Sequence, residues 1–242
     1  MVWPAVILGA VAAGLVQTVT GFGSGVVLIM VLSRLFAMTA ATSLNASICI
    51  ALSISLAWRF RRDIDFKLVL LPAVPYLIIS VCAIRMLRFM DMSVLAVAFG
   101  VFLIVLSIYF LFFESRVHLK ANLPTAVSCG AVSGIFAGLF GVGGPLMALY
   151  FLTITKSRAS YIATLQFFFV LSNVVSMSTR LLEGYYTMDL LPITLAGIMG
   201  ITAGKWIGLK IADRLDGAQL KKVIYLFVGI SGIVNVIQNL PF

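Results

Sequence analysis

Two glycine-rich interruptions carry the chemistry that this chain can do. One reads T-G-F-G-S-G at Thr20–Gly25 and the other F-G-V-G-G-P at Phe140–Pro145, each inside a long apolar stretch. A shift of 120 residues lays Gly21 on Gly141, Gly23 on Gly143 and Gly25 on Pro145. Each glycine costs a helix roughly 1 kcal/mol relative to alanine, so clusters of them in apolar segments point to a use for a broken helix. That use is exposure of backbone N–H groups. Helices are expected to restart at about Val26 and Leu146, with Ser24 near the first start and Pro145 suited to the first turn of the second. Unbonded N–H groups and the positive end of the helix dipole then face the break, a geometry that binds anions. The candidate binding residues are Gly21, Phe22, Gly23, Ser24 and Gly25 in the first break, and Gly141, Val142, Gly143, Gly144 and Pro145 in the second. Paired breaks in corresponding hydrophobic segments of two halves mark a transporter's binding site.

Neutral polar residues inside apolar segments extend the candidate site. Asn45 and Gln166 occupy matching places after each break, with Ser43, Thr164 and Asn173 near them. Amides and hydroxyls can donate to an oxyanion without the cost of burying a charge; their other use is hydrogen bonding between helices. The eight acidic residues (Asp63, Asp65, Asp91, Glu114, Glu183, Asp189, Asp213 and Asp216) fall in loops or at span ends, so no intramembrane carboxylate offers a proton relay. No buried Lys or Arg is expected at mid-span. An anion would therefore be held by backbone dipoles and neutral donors.

The elements that must position these groups follow from composition. The chain has 242 residues, 62% of them hydrophobic and only 10% charged, more apolar surface than a soluble domain of this size can hide. It reads as an all-α polytopic membrane protein. Apolar blocks fall at roughly Pro4–Thr20, Val26–Phe36, Ala40–Trp58, Leu68–Ile84 and Met92–Phe113, then Pro124–Phe140, Leu146–Ile154, Ala159–Thr179, Tyr186–Gly208 and Ala218–Leu240. The order repeats: a broken segment, then three full spans. S-L-N at Ser43–Asn45 echoes T-L-Q at Thr164–Gln166, and Leu71–Pro72 echoes Leu191–Pro192. These echoes divide one transporter domain into repeats over 1–116 and 117–242, joined by the polar link Glu114–Asn122.

The broken segments, Pro4–Phe36 and Pro124–Ile154, hold 33 and 31 residues. One crossing needs about 20 residues and two need about 40 with a turn, so an intermediate length suits a re-entrant hairpin. If each segment crosses once, the basic residues divide seven to ten between the two sides. If both are re-entrant, one side gathers thirteen and the other keeps only Arg34, Arg85, Arg88 and Arg180. That bias places both termini outside and inverts the halves relative to one another.

Other functions find less support. The net charge of +9 sits in short loops between apolar blocks, which is topology control rather than a nucleic-acid surface. Cys49, Cys82 and Cys129 have no paired spacing, His118 stands alone in a loop, and no metal or other cofactor is expected. The residues needed for hydrolysis, a nucleophile with a base and its orienting partner, are not evident, so the chain does not read as an enzyme. A-V-A at Ala10–Ala12 lacks the basic flank of a cleaved leader and is read as mature protein. Gly200, Gly204 and Gly208 form a packing stripe, within one protomer or between two, which leaves a homo-oligomer open.

The pattern resembles the sulfite exporter TauE/SafE family. The resemblance rests on G-F-G-S-G at Gly21–Gly25, A-T-S-L at Ala41–Leu44, R-F-R-R-D-I-D-F at Arg59–Phe66, G-L-F-G-V-G-G-P at Gly138–Pro145 and A-T-L-Q at Ala163–Gln166, in that order along nearly the whole chain. It implies an inner-membrane transporter of small anions, many of them sulfur-containing, such as sulfite and organosulfonates. Its glycine-rich positions fall here on Gly21, Gly23, Gly25, Gly141, Gly143 and Gly144. Phe22, Val142 and Phe167–Phe169 would supply apolar walls. A proton-coupled importer of a sulfur-containing solute and a non-transporting membrane interaction protein are the alternatives.

Overall fold

A computed structural model describes residues 2–112, 122–211 and 217–239. The described chain is helical: α1 (Val2–Thr20), α2 (Ser24–Leu35), α3 (Met38–Arg59), α4 (Phe66–Met86), α5 (Met92–Phe112), α6 (Leu123–Phe140), α7 (Gly144–Ile154), α8 (Arg158–Leu182), α9 (Leu191–Ile211) and α10 (Gly217–Asn239). Seven of these, α1, α3, α4, α5, α6, α8 and α9, are long and apolar enough to cross a membrane. The polar link, apart from Asn122, lies outside the described residues, as do Glu114, His118, Asp213 and Asp216.

The breaks fall late in their segments rather than halfway. α1 has 19 residues and α2 has 12; α6 has 18 and α7 has 11. At 1.5 Å per residue the longer arms reach about 27–28 Å, close to a hydrocarbon core, and the shorter arms about 17–18 Å. Each short helix folds back on its long partner, α2 on α1 and α7 on α6. The restarts come two residues earlier than expected from sequence, at Ser24 and Gly144.

The two halves interlock. α1 packs on α9 as α6 packs on α4, while α3 packs on α8 and α5 on α10. Exchanging the halves maps each of these pairings onto another or onto itself. Directions follow from contacts. Thr42, early in α3, meets Arg180, late in α8, and Asp65, just past α3, meets Thr164, early in α8. Matching helices α3 and α8 are therefore antiparallel. The same holds for α5 and α10, where Ser107 donates to the Tyr225 carbonyl and Gly100 lies against Gly232.

Small residues set these contacts. A Cβ on Gly204 would stand 2.0 Å from the Val11 carbonyl oxygen, and one on Gly200 2.7 Å from that of Ile7. The stripe Gly200–Gly204–Gly208 is thus spent inside the protomer, against α1. A second stripe, Gly130–Gly134–Gly138, does the same work for α6 on α4, with added Cβ atoms 2.4 Å from Pro72 O, 2.6 Å from Tyr76 O and 2.4 Å from Ala83 Cβ. Close backbone approach replaces the hydrophobic drive that lipid cannot provide.

Candidate anion site at the paired breaks

Both breaks open on one cavity. Its walls include Gly23, Ser24, Gly25 and Asn45 from the first half, and Gly141, Val142, Gly143, Gly144, Pro145 and Asn173 from the second. The cavity is small, about 50 Å³. One buried water needs roughly 10–15 Å³ on such a measure, so the room is for a few heavy atoms.

Glycine makes the breaks possible in two ways. Gly21 and Gly141 end α1 and α6 with φ of +87° and +71°, the left-handed conformation of a helix C-terminus. Their N–H groups donate to the carbonyls of Gln17 and Ala137 at 2.8 and 2.9 Å. Chain reversal then exposes the first N–H groups of α2 and α7. The helices α4, α6 and α8 begin with side-chain caps from Asp65, Asn122 and Ser157. α2 and α7 begin at Gly23 and Gly143 with no side-chain cap, a trait they share with α3 at Ala37. At α2 and α7 the uncapped ends face the cavity.

Each break is tethered by the opposite half. Asn45 on α3 donates through Nδ2 to the Gly141 carbonyl at 3.1 Å. Gln166 on α8 donates through Nε2 to the Gly21 carbonyl at 2.7 Å. The matched amides therefore make matched bonds, and each satisfies a carbonyl freed by the turn. The Gln166 Oε1 also accepts from Gln17 Nε2 at 2.7 Å, and Gln17 Oε1 accepts from the Ser24 hydroxyl. This buried chain locks the α2 start to α8.

Of the fifteen residues proposed from sequence, ten line the cavity. Gly21 and Gln166 lie behind it, joined by their hydrogen bond. Phe22 turns toward Phe110, with ring centroids 5.9 Å apart. Ser43 is buried and donates to the Thr39 carbonyl at 2.7 Å. Thr164 accepts from the Asp65 N–H at 3.1 Å. Of the apolar walls expected from sequence, Val142 and Phe169 reach the cavity; Phe167 packs edge-on to Phe66 and Phe168 to Tyr76.

Several lining residues were not singled out by sequence. Gln17, Cys49, Ser53 and Tyr76 are on the cavity, with Ser176 from α8. The Tyr76 hydroxyl pairs with the Ser172 hydroxyl at 2.7 Å. Gln17 had a readable signal, since it is the one amide in the first apolar block. Tyr76 had none; an aromatic in an apolar span looks like core.

One expectation needs correcting. Arg180, assigned from sequence to a loop, is fully buried in the last turn of α8. Its Nη1 donates to Thr42 Oγ1 at 2.6 Å and its Nη2 to the Gly138 carbonyl at 2.7 Å and the Ala137 carbonyl at 3.5 Å. Its Nε donates to Ser176 Oγ at 3.2 Å. It satisfies the carbonyl end of α6, where the helix dipole is negative. Among the described residues the ion pair is Arg85 with Glu183 at 3.3 Å, so no carboxylate neutralises Arg180. The described acidic residues stand at helix ends and turns, and none lines the cavity.

Comparison with known proteins agrees with this architecture. A family model described as Sulfite exporter TauE/SafE matches residues 6–234. The chain is also 25% identical over 156 residues to a probable membrane transporter protein of Methanocaldococcus jannaschii, a match covering 60% of this chain and 58% of that relative. No solved structure matches the chain.

Proposed function

The chain belongs to the sulfite exporter TauE/SafE family, and on that premise we propose that it is a multi-pass membrane transporter that exports small sulfur-containing anions. The observation that carries this reading is the meeting of two uncapped helix starts, at Ser24 and Gly144, on one cavity. An oxyanion seated there accepts from the N–H groups of both, with the Asn173 amide and the one hydrogen left free by the Tyr76–Ser172 hydroxyl pair available to its remaining oxygens. Asn45 and Gln166 act from behind, by holding the two turns. A cavity of about 50 Å³ suits sulfite; a larger organosulfonate requires the walls to part.

Binding by dipoles and neutral donors is weak, which suits a ligand that must leave. A monovalent anion leaving a cell that is negative inside gains about 2.3 kcal/mol per 100 mV, so export needs no coupling ion. The cavity offers no carboxylate for proton coupling, which disfavours the importer reading among the described residues. The antiparallel course of α3 against α8 and of α5 against α10 supports inverted halves. Removing buried Arg180 from the loop count leaves the sparse side with Arg34, Arg85 and Arg88, which supports termini on the outer face of the inner membrane.

The test is flux. Proteoliposomes loaded with sulfite should release it faster when an inside-negative potential is imposed. Uptake accompanied by lumenal acidification would support a proton-coupled importer instead. No flux of sulfite, sulfoacetate or sulfate under any gradient would favour a non-transporting membrane protein.

A further inference from the structure

The buried Arg180 has a counterpart. Ser176–Arg180 reads S-M-S-T-R, and 121 residues earlier Ser55–Arg59 reads S-L-A-W-R. This is the same offset that matches Gln166 with Asn45. Both arginines stand in the last turn of the span that follows a break. Because α3 and α8 are antiparallel, these last turns lie at opposite ends of the helix pair that walls the cavity.

The two arginines are in different states. Arg180 has no exposed surface and is clamped on Ser176, Thr42 and the α6 carbonyls. Ser176 and Ala137, which hold it, also line the cavity, so the guanidinium sits directly behind that wall. Arg59 is exposed, its guanidinium 6.0 Å from the centre of the Phe60 ring. The serine that would seat it, Ser55, is instead taken by Lys205 Nζ at 2.6 Å. The carbonyls matching those of Ala137 and Gly138 belong to Gln17 and Thr18, at the end of α1. A structural helix cap would not need to be charged or fully desolvated; an ionisable group so placed in a membrane protein marks the pathway.

We infer that Arg59 and Arg180 are paired gates of the anion pathway: each seals its own end of the cavity when seated on its serine and on the carbonyls of the long broken helix. In this structure Arg180 is seated and Arg59 is not. In the opposite state Arg59 displaces Lys205 from Ser55, and Arg180 swings out. The released arginine gives an anion a fixed charge to follow, and reseating it closes the path behind. This rests on the transporter reading, and it adds that only one arginine is seated at a time.

Cys49 lines the cavity and serves as a native reporter of access. In vesicles of known orientation, with Cys82 and Cys129 replaced by serine and alanine, an impermeant methanethiosulfonate reagent applied to one face at a time reads which end is open. In the parent protein Cys49 should react faster from the Arg59 face. Arg180→Gln should raise reactivity from the Arg180 face by on the order of tenfold, as expected when a charged, multiply bonded group is lost from one of two states. Arg59→Gln should leave that face closed. Thr42→Val, which removes one ligand of the seated arginine, should act like Arg180→Gln but less strongly, and it keeps the readout available if Arg180→Gln misfolds. Equal change at both faces in Arg180→Gln and Thr42→Val, or none, overturns the gate. The labelling needs no substrate, so a protein that proves not to move sulfite can still pass or fail it.

Discussion

The two breaks align position for position and share two glycines, yet they are built on different constraints. The first depends on backbone conformation: Gly23 has φ +101°, and an added Cβ there would approach only Val16 Cγ1, at 3.2 Å. The second depends on space: Gly143 has φ −106°, open to any residue, but a Cβ would stand 2.5 Å from Tyr76 Oη and 2.8 Å from Ala137 Cβ. The surroundings differ likewise. Ser24 is locked into the Gln17–Gln166 chain, whereas the start of α7 is shaped by Pro145 and the ring of Phe169. On the proposed reading, one ligand meets two helix ends that are held in different ways. The crowded end is set by packing, and the open end is held by hydrogen bonds.

The largest effect is expected at the crowded break. Gly143→Ala forces the Tyr76 ring or α6 to move, an overpacking cost of about 1–3 kcal/mol, and should abolish flux. Adding Tyr76→Phe removes the nearest oxygen but leaves Tyr76 Cε2, 2.7 Å from the new Cβ, so rescue should be partial. Full rescue would show that the hydroxyl alone sets the fit. Thermal unfolding and flux on the same preparations check both.

The tethers come next. Gln166→Leu orphans the buried Gly21 carbonyl and frees Gln17 and Ser24, for about 1–3 kcal/mol. Asn45→Leu orphans the Gly141 carbonyl and frees the weakly donating Cys49 thiol, and should cost less, at the lower end of about 1–3 kcal/mol. A larger loss of melting temperature in Asn45→Leu would contradict the assignment of hydrogen bonding to the first break and packing to the second.

How much of this was legible in sequence depends on how local the cause was. The glycine pairs, the Asn45–Gln166 match and the alternation of broken and full segments are local, and they survive in the helices and their pairings. Arg180 was misplaced because T-R-L-L-E-G-Y looks like the polar edge of a span. Its partners, the Gly138 carbonyl and Thr42, lie 42 and 138 residues away, and hydropathy carries no trace of them. The Gly130–Gly134–Gly138 stripe was overshadowed by the break that follows it, although its spacing equals that of Gly200–Gly204–Gly208. The late position of each break also escaped, because block lengths give a total and not a division.

The smaller effects sharpen the contrast. Gly23→Ala forces a side chain into the left-handed region at a cost of about 1–2 kcal/mol, with only the Val16 side chain having to give way, so transport should fall without loss of fold. Ser24→Ala breaks the link to Gln17 but leaves the backbone N–H groups in place, so anion affinity should weaken only a few-fold, by about 1 kcal/mol. If Ser24→Ala proved as damaging as Gly143→Ala, that link rather than the packing at Gly143 would set the site.

The most direct measurement is calorimetric titration of sulfite into the purified chain and its break variants. The account predicts one sulfite per chain, binding lost in Gly143→Ala, weakened in Gly23→Ala and retained in Ser24→Ala. Unchanged binding in both glycine variants would contradict it, because the anion would then be held somewhere other than between the two helix ends.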